Sequence, residues 1–262
     1  MPILRPLLSV LRLLTAVCGR PSAVGAAGAL LLLAAGCMTP PAPPSADANA
    51  TDATDPAAAG GARFLALGDS YTIGEGVAEA ERWPVRLAAD LRAEGVAVQD
   101  PTIVAVTGWT TDELDAAIDR AVAEGEVSGT YGLVTLLIGV NNQYRGRPVA
   151  DYRAELRALL ARAVAFAGGD ERRVVVLSIP DWGVMPFAAD RDRGGISRAI
   201  DAFNAAARAE AIDAGAAWVD VTGLSRAHPA ETAPDGLHPS GAQYARWAEA
   251  ARAAARAALG AR

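Results

Sequence analysis

The sequence predicts an α/β domain, a three-layer α/β/α sandwich around a five-stranded parallel sheet. Short continuous apolar runs alternate five times with segments whose apolar residues recur at helical spacing. The apolar runs show no polar alternation, so both faces of each strand are expected to be buried under helices. Roughly 200 residues follow position 61, which suits one domain with a sizeable core.

Five strands are expected, each an apolar run bounded by turn residues. The predicted strands are Arg63–Leu67, Thr102–Val106, Tyr131–Gly139, Val174–Ile179 and Ala217–Val221.

A helix is expected after each strand. The first has Pro84 in its first turn and ends near Gly95, and the second runs from Thr111 to about residue 124. Periodic apolar positions predict two more helices, which end at Gly168 and Gly215. The last is expected over residues 241–258, with Ser240 as its cap.

Residues 1–37 resemble a bacterial lipoprotein signal. A region with three arginines and no acidic residue precedes an uncharged run, and the sequence "AAGC" ends at Cys37. The resemblance implies export and a lipid on Cys37, which would hold the protein on the outer face of a membrane or in the periplasm. Ala34 stands where leucine is usual, and a cleaved secretion signal and an uncleaved anchor remain alternatives.

Residues 38–61 are rich in Pro, Ala, Thr and Asp without apolar periodicity, which predicts a disordered tether. The domain proper is assigned to residues 62–262. Both cysteines, Cys18 and Cys37, precede it, so neither a disulfide framework nor a thiol nucleophile is expected there.

Charge and histidine content exclude two classes of function. The formal net charge is −6 and no basic stripe is present, which argues against nucleic-acid binding. Two histidines and no carboxylate cluster argue against a metal centre, and we expect no cofactor. We also expect a monomer.

Candidate site residues follow four of the predicted strands. In parallel sheets, reactive groups gather at the carboxyl ends of the strands. Ser70 lies in "GDSYTIGEG" after the first strand, Gly108 follows the second, and Asn141 lies in "GVNN" after the third. Asp235 and His238, in "PDGLHPS" after the fifth, are spaced to meet across one turn. Taken singly, each segment also suits an ordinary turn.

In this order the four segments resemble the GDSL or SGNH hydrolase superfamily, from residue 63 to about residue 250. The resemblance implies a flavodoxin-like fold and a serine esterase that forms an acyl-enzyme on Ser70, with His238 as general base and Asp235 as its orienting acid. It also implies an oxyanion hole made by the backbone N–H groups of Ser70 and Gly108 and by the Asn141 side chain. The family usually has Asp where this chain has Asn142, and we expect a local change in hydrogen bonding there rather than loss of activity.

The substrate is expected to be a small ester or an acylated glycan. A carbohydrate O-deacetylase of the same fold is an alternative, and so is a non-catalytic surface lipoprotein that binds a glycan or a partner.

Other polar and aromatic residues have weaker claims to function. His228 is expected at the solvated surface, and Glu75 and Arg145 in surface ion pairs. The segment after the fourth strand, "SIPDWGVMPF", either walls a substrate pocket or packs on the sheet; Asp181, Trp182, Val184, Met185 and Phe187 belong to it.

Overall fold

The structure, a computed structural model, describes residues 60–261. The predicted signal with Cys37, and almost all of the predicted tether, lie outside these residues. Within the described range, no helix combines the length and the apolar character that crossing a membrane requires.

Five strands form one sheet. They are β1 (Ala62–Gly68), β2 (Val98–Ala105), β3 (Leu133–Leu137), β4 (Val174–Leu177) and β5 (Ala217–Val219). Their order in the sheet is β2-β1-β3-β4-β5, and each neighbouring pair is parallel. The predicted five-stranded parallel sheet is confirmed.

Helices cover the sheet and connect its strands. They are α1 (Ser70–Ile73), α2 (Trp83–Ala93), α3 (Thr111–Ala123), α4 (Val140–Tyr144), α5 (Val149–Phe166), α6 (Arg193–Asp213), α7 (Thr222–Ala227) and α8 (Gly241–Ala258). α2 packs against α8, and α5 packs against both α3 and α6. These contacts give the helix layers of the predicted α/β/α sandwich.

Two features differ from the sequence-based prediction. β2 begins at Val98 rather than Thr102, although it contains Pro101. An edge strand tolerates a proline that has no N–H to donate, because its outer side has no partner strand. The short helices α1, α4 and α7 were not predicted, since four to six residues are too few to show a helical period.

The core lies on both faces of the sheet. All five residues of β3 are buried, as expected for a central strand of a covered parallel sheet. α2 and α8 pack against each other, and Trp83 of α2 and Trp247 of α8 are completely buried in the core. The candidate site is built from the segments that follow the carboxyl ends of β1 and β3.

Candidate active site

A pocket of about 220 Å³ opens at the carboxyl edge of the sheet. Four of the predicted site residues, Ser70, Gly108, Asn141 and His238, line it together. The other lining residues are Tyr71, Thr107, Val140, Tyr144, Trp182, Phe187 and Leu237. The fifth predicted residue, Asp235, lies behind His238 and contacts its ring.

Ser70 is the first residue of α1, directly after β1. Asp69 caps this helix by accepting a hydrogen bond from the Tyr71 N–H at 3.0 Å. Gly68 permits the tight exit from the strand, because a Cβ there would lie 2.2 Å from Thr72 Oγ1 and 2.5 Å from a carbonyl oxygen of β3. The Ser70 hydroxyl has no hydrogen-bond partner among residues 60–261, so it is available in the pocket.

Asp235 and His238 form a hydrogen-bonded pair. The Asp235 Oδ2 atom lies 2.6 Å from His238 Nδ1. Its other oxygen, Oδ1, accepts from the backbone N–H groups of Leu237 at 2.9 Å and His238 at 3.0 Å. Gly236 makes this turn possible with a φ of 69°.

The charge on Asp235 is stabilised by these contacts. Burial raises the pKa of the carboxyl, but the hydrogen bonds from the His238 ring and from the two backbone N–H groups outweigh it and leave the pKa below its ordinary value. Asp235 is therefore ionised at neutral pH, which favours a proton on the Nδ1 atom of His238.

The His238 ring is fixed on two sides. Asp235 holds Nδ1, and the Tyr71 ring packs edge-on against the imidazole at 5.6 Å between centroids. The His238 Nε2 atom has no partner among the described residues. With Nδ1 protonated, Nε2 can accept a proton, and the ring that carries it lines the pocket.

Three N–H donors lie at the same pocket. The backbone N–H groups of Ser70 and Gly108 donate to no backbone acceptor in the described part of the chain. The Asn141 amide uses one N–H on the Trp109 carbonyl oxygen at 2.9 Å, which fixes its orientation and leaves the second N–H free. Donors of this kind stabilise negative charge that develops on a substrate oxygen.

Gly108 adopts a left-handed conformation, with a φ of 90°. No atom crowds the position of a Cβ there, the nearest being Arg145 Nη2 at 3.9 Å. The requirement for glycine is thus conformational. The Gly108 carbonyl oxygen accepts from Arg145 Nη2 at 2.6 Å, which anchors the loop.

Asn142, the residue that departs from the family pattern, is completely buried. Its Oδ1 accepts from the Thr111 N–H at 3.1 Å, and its Nδ2 donates to Thr111 Oγ1 at 2.6 Å. A carboxylate is nonetheless present, because Glu155 Oε2 lies 3.4 Å from the same Nδ2 and accepts from Thr111 Oγ1.

The segment after β4 contributes both a wall and a support. Trp182 and Phe187 line the pocket, whereas Met185 and Asp181 are buried and do not belong to its lining. Asp181 accepts from the Gly183 N–H at 2.9 Å and pairs with Arg226 at 2.9 Å. The segment therefore divides into residues that line the pocket and residues that are packed in the interior.

Tyr144 completes the aromatic wall. Its ring lies 5.5 Å from that of Trp182, whose Nε1 donates to Gln143 Oε1 at 2.7 Å. The backbone N–H of Phe187 donates to the Gly236 carbonyl oxygen at 3.0 Å. The wall is thus tied both to α4 and to the turn that carries His238.

The remaining polar candidates lie outside the pocket lining. His228 is 33% exposed and lies 3.6 Å from Glu231. Arg145 pairs with Glu113 at 3.1 Å, as predicted, but Glu75 accepts from the Thr107 hydroxyl rather than from an arginine. The described residues contain no group of three or more His, Cys, Asp or Glu side chains placed to hold a metal ion.

Asp69, beside Ser70, is an unusual carboxyl group. It is completely buried, and its Oδ2 atom has no hydrogen-bond partner in the described part of the chain. Burial raises its pKa to about 7, against the lowering effect of the Tyr71 N–H.

A larger hollow, of about 570 Å³, lies at the opposite edge of the sheet. Arg63, Tyr131 and Arg172 line it, together with backbone at the start of β1 and the end of α8. Its lining contains no serine, cysteine or histidine, whereas the smaller pocket contains both Ser70 and His238.

Solved structures that include two esterases share this fold. The chain is similar to TesA, with 22% identity, a TM-score of 0.58 and coverage of 75% of this chain and 99% of that one. The chain is also similar to a variant of Axe2, an acetyl xylan esterase from Geobacillus stearothermophilus. The identity is 20%, the TM-score is 0.57, and the match covers 75% of this chain and 95% of that one. For the esterase EstA from Pseudoalteromonas sp. the identity is 18%, the TM-score is 0.52, and the match covers 76% of this chain and 94% of that one. At these identities the similarity shows the fold.

Sequence comparison identifies the family. No curated protein gave a significant match. The sequence profile of the GDSL-like lipase/acylhydrolase family matches residues 66–246, which include every predicted site residue of the domain. This match confirms the predicted enzyme class, a hydrolase. The chain belongs to the GDSL-like lipase/acylhydrolase family.

Proposed function

We propose that the protein hydrolyses carboxylic esters through an acyl-enzyme on Ser70. The observation that carries this proposal is the convergence of three elements on one pocket. These are an unengaged serine hydroxyl, an imidazole oriented by Asp235, and three N–H donors without acceptors. Family membership supports the same reaction class.

In the first half of the reaction, Ser70 Oγ attacks the ester carbonyl carbon as His238 Nε2 takes the hydroxyl proton. The carbonyl oxygen becomes negatively charged and accepts from the Ser70 and Gly108 N–H groups and from Asn141. Each such donor contributes about 3–4 kcal/mol to stabilising the transition state. His238 then gives its proton to the leaving alcohol oxygen as the C–O bond breaks.

In the second half, water attacks the acyl-enzyme. His238 Nε2 takes a proton from the water, the same donors stabilise the second oxyanion, and the Ser70 oxygen leaves. The proton returns to Ser70 Oγ, the carboxylic acid product departs and the enzyme is regenerated. Asp235 stays ionised throughout and stabilises the transient imidazolium.

The size of the pocket favours short acyl groups. A volume of about 220 Å³ lies below the roughly 300–1,000 Å³ of sites that enclose drug-sized ligands. We infer that acetyl to butyryl esters are hydrolysed faster than long-chain esters. A series of p-nitrophenyl esters from acetate to palmitate tests this directly.

Removal of an acetyl group from a carbohydrate is a second candidate activity. Tyr144 and Phe187 are 53% and 36% exposed at the pocket, which suits stacking of a sugar ring on an aromatic surface. One structural neighbour is an acetyl xylan esterase. Acetate release from acetylated xylan, measured beside p-nitrophenyl acetate, decides between the two activities.

The mechanism is tested by Ser70→Ala and His238→Ala. Each is expected to lower kcat for p-nitrophenyl acetate by at least about 10³-fold, because nucleophile and base act as a unit. His228→Ala is the matched control, since it removes the other histidine, and is expected to keep the wild-type rate. A fluorophosphonate should add its mass to the peptide that contains Ser70. Full activity in folded Ser70→Ala would refute the proposal.

We further propose that Cys37 carries a lipid that holds the domain at a membrane surface. The arginine-containing start, the uncharged run and the sequence "AAGC" support this. Cys37→Ser is expected to move the protein from the membrane fraction to the soluble fraction and to abolish labelling with an alkyne-bearing palmitate. Cys18→Ser is the control and should behave as the wild type. Membrane-bound, labelled Cys37→Ser would contradict the proposal.

A further inference from the structure

Arg191 lies over the aromatic wall of the pocket. Its guanidinium carbon is 4.5 Å from the ring centroid of Phe187, 5.7 Å from that of Trp182 and 5.9 Å from that of Tyr144. All three rings line the pocket that contains Ser70. A positive charge is therefore placed at the rim of the candidate active site.

The Arg191 guanidinium forms no ion pair in the described part of the chain, although Asp190 and Asp192 flank it in the sequence. Its neighbour Asp192 instead caps α6 and accepts from the Gly195 N–H at 2.8 Å. Stacking on aromatic rings engages the face of a guanidinium and leaves the N–H groups at its edge free to donate.

The other arginine beside the pocket is differently placed. Arg145 donates to the Gly108 carbonyl oxygen at 2.6 Å and to Glu113 at 3.1 Å. Arg145 thus anchors the loop that contains Gly108 and has a carboxylate partner. The Arg191 guanidinium is held by ring contacts, and its N–H groups donate to no acceptor in the described part of the chain.

We propose that Arg191 binds a carboxylate or phosphate group of the substrate, outside the reacting ester. The preferred substrates are then anionic esters whose charged group lies beyond the aromatic wall. The chain has a net charge of −6, so long-range attraction would not draw such a substrate in. A local cation with free, planar donors supplies the contact that selects it. This inference rests on the proposed esterase function.

A pair of matched esters tests the proposal. 4-Acetoxyphenylacetate carries a carboxylate, and 4-acetoxyphenylacetamide is neutral with the same reacting acetate. For the full-length protein we expect the ratio of kcat/KM, anionic over neutral, to fall about fivefold in Arg191→Gln, the size of one exposed ion pair. Arg191→Lys should retain part of the preference, because it keeps the charge but loses the planar fork. 4-Acetoxyphenyl phosphate, run in parallel, shows which anion is preferred.

Arg198→Gln is the matched control. It also removes one positive charge, at an exposed position in α6 outside the pocket lining. It should keep the wild-type ratio of kcat/KM, anionic over neutral. Raising the ionic strength should lower the ratio in the wild type and leave it unchanged in Arg191→Gln. An equal ratio in wild type and Arg191→Gln would overturn the proposal.

A binding measurement separates this inference from the proposed reaction. The dissociation constants of 4-hydroxyphenylacetate and 4-hydroxyphenylacetamide, measured by NMR titration, do not depend on turnover. We expect the carboxylate to bind more tightly than the amide in the wild type and this difference to vanish in Arg191→Gln. If neither ester is hydrolysed but this binding pattern is observed, the esterase proposal alone is contradicted. If the wild type binds the carboxylate and the amide equally tightly, the role of Arg191 is overturned.

Discussion

Asn142 Nδ2 lies 3.4 Å from Glu155 Oε2, so a neutral amide from α4 faces a carboxylate from α5. The family usually has an acid at the position of Asn142. In this chain the acid is supplied by Glu155, which also accepts from Thr111 at the start of α3. The amide and the carboxylate are complementary, and two carboxylates at this distance would repel one another.

We expect Asn142→Asp to destabilise the fold by about 1–3 kcal/mol, because it replaces a donor by a second carboxylate oxygen in a buried network. Adding Glu155→Gln should restore most of the loss by returning one amide to the pair. Urea denaturation of the four proteins in this double-mutant cycle measures the coupling. Strictly additive effects would show that the two side chains do not interact.

The replacement of Asn141 by Ala should lower kcat for p-nitrophenyl acetate about 10²–10³-fold with little change in KM, because an oxyanion donor acts in the transition state. Asn141 also holds the Trp109 carbonyl oxygen, so thermal unfolding must be measured beside the kinetics. A rise in KM at constant kcat would instead identify Asn141 as a ground-state contact.

Asp235→Asn keeps an acceptor for the two backbone N–H groups but places an NH₂ group opposite His238 Nδ1. The imidazole is then pushed towards the wrong tautomer, and kcat should fall about 10²–10⁴-fold. Glu231→Gln removes the carboxylate beside the other histidine, His228, and serves as the control that should retain the wild-type rate. Equal rates in the two variants would exclude the orienting role of Asp235.

Asp69 should make stability depend on pH. Because burial raises its folded-state pKa to about 7, the folded protein retains a proton that the unfolded chain releases near pH 4. The contribution of Asp69 to stability is therefore fully present below pH 4 and is lost as pH rises towards 7. By linkage this loss is at most about 4 kcal/mol.

Asp69→Asn tests this dependence, since asparagine still caps α1 but does not titrate. The difference in unfolding free energy between wild type and variant, measured in urea from pH 5 to pH 8, should shift in favour of the variant as pH rises. A difference that is constant over this range would show that Asp69 does not titrate there.

The sequence was sufficient to predict the sheet and the edge of it at which the candidate site residues lie. Continuous apolar runs gave all five strands, and glycine or a polar cap marked the ends of long helices such as α8. Ser70, Gly108, Asn141 and His238 could be placed at one edge because parallel strands share a direction. The topology thus carries most of the site.

The surroundings of the site could not be predicted from the sequence. Tyr71 packs on His238, and Tyr144 joins the pocket wall from a helix too short to show periodicity. The position of Arg191 depends on the path of the segment after β4. Contacts of that segment with α4 and with the Gly236 turn determine this path. The acid near Asn142 was missed because Glu155 approaches it only through the packing of α5.

The chain order of the pocket has a consequence for folding. Ser70 follows the first strand, whereas His238 stands just before the last helix, whose Trp247 packs on Tyr71. A chain synthesised from its N-terminus therefore contains the proposed nucleophile, Ser70, long before it contains the proposed base, His238. Under the proposed mechanism we expect hydrolysis to begin only when α8 has docked, because its Trp247 packs on the Tyr71 ring that contacts His238. Recovery of esterase activity after denaturation would then report the arrival of the final helix.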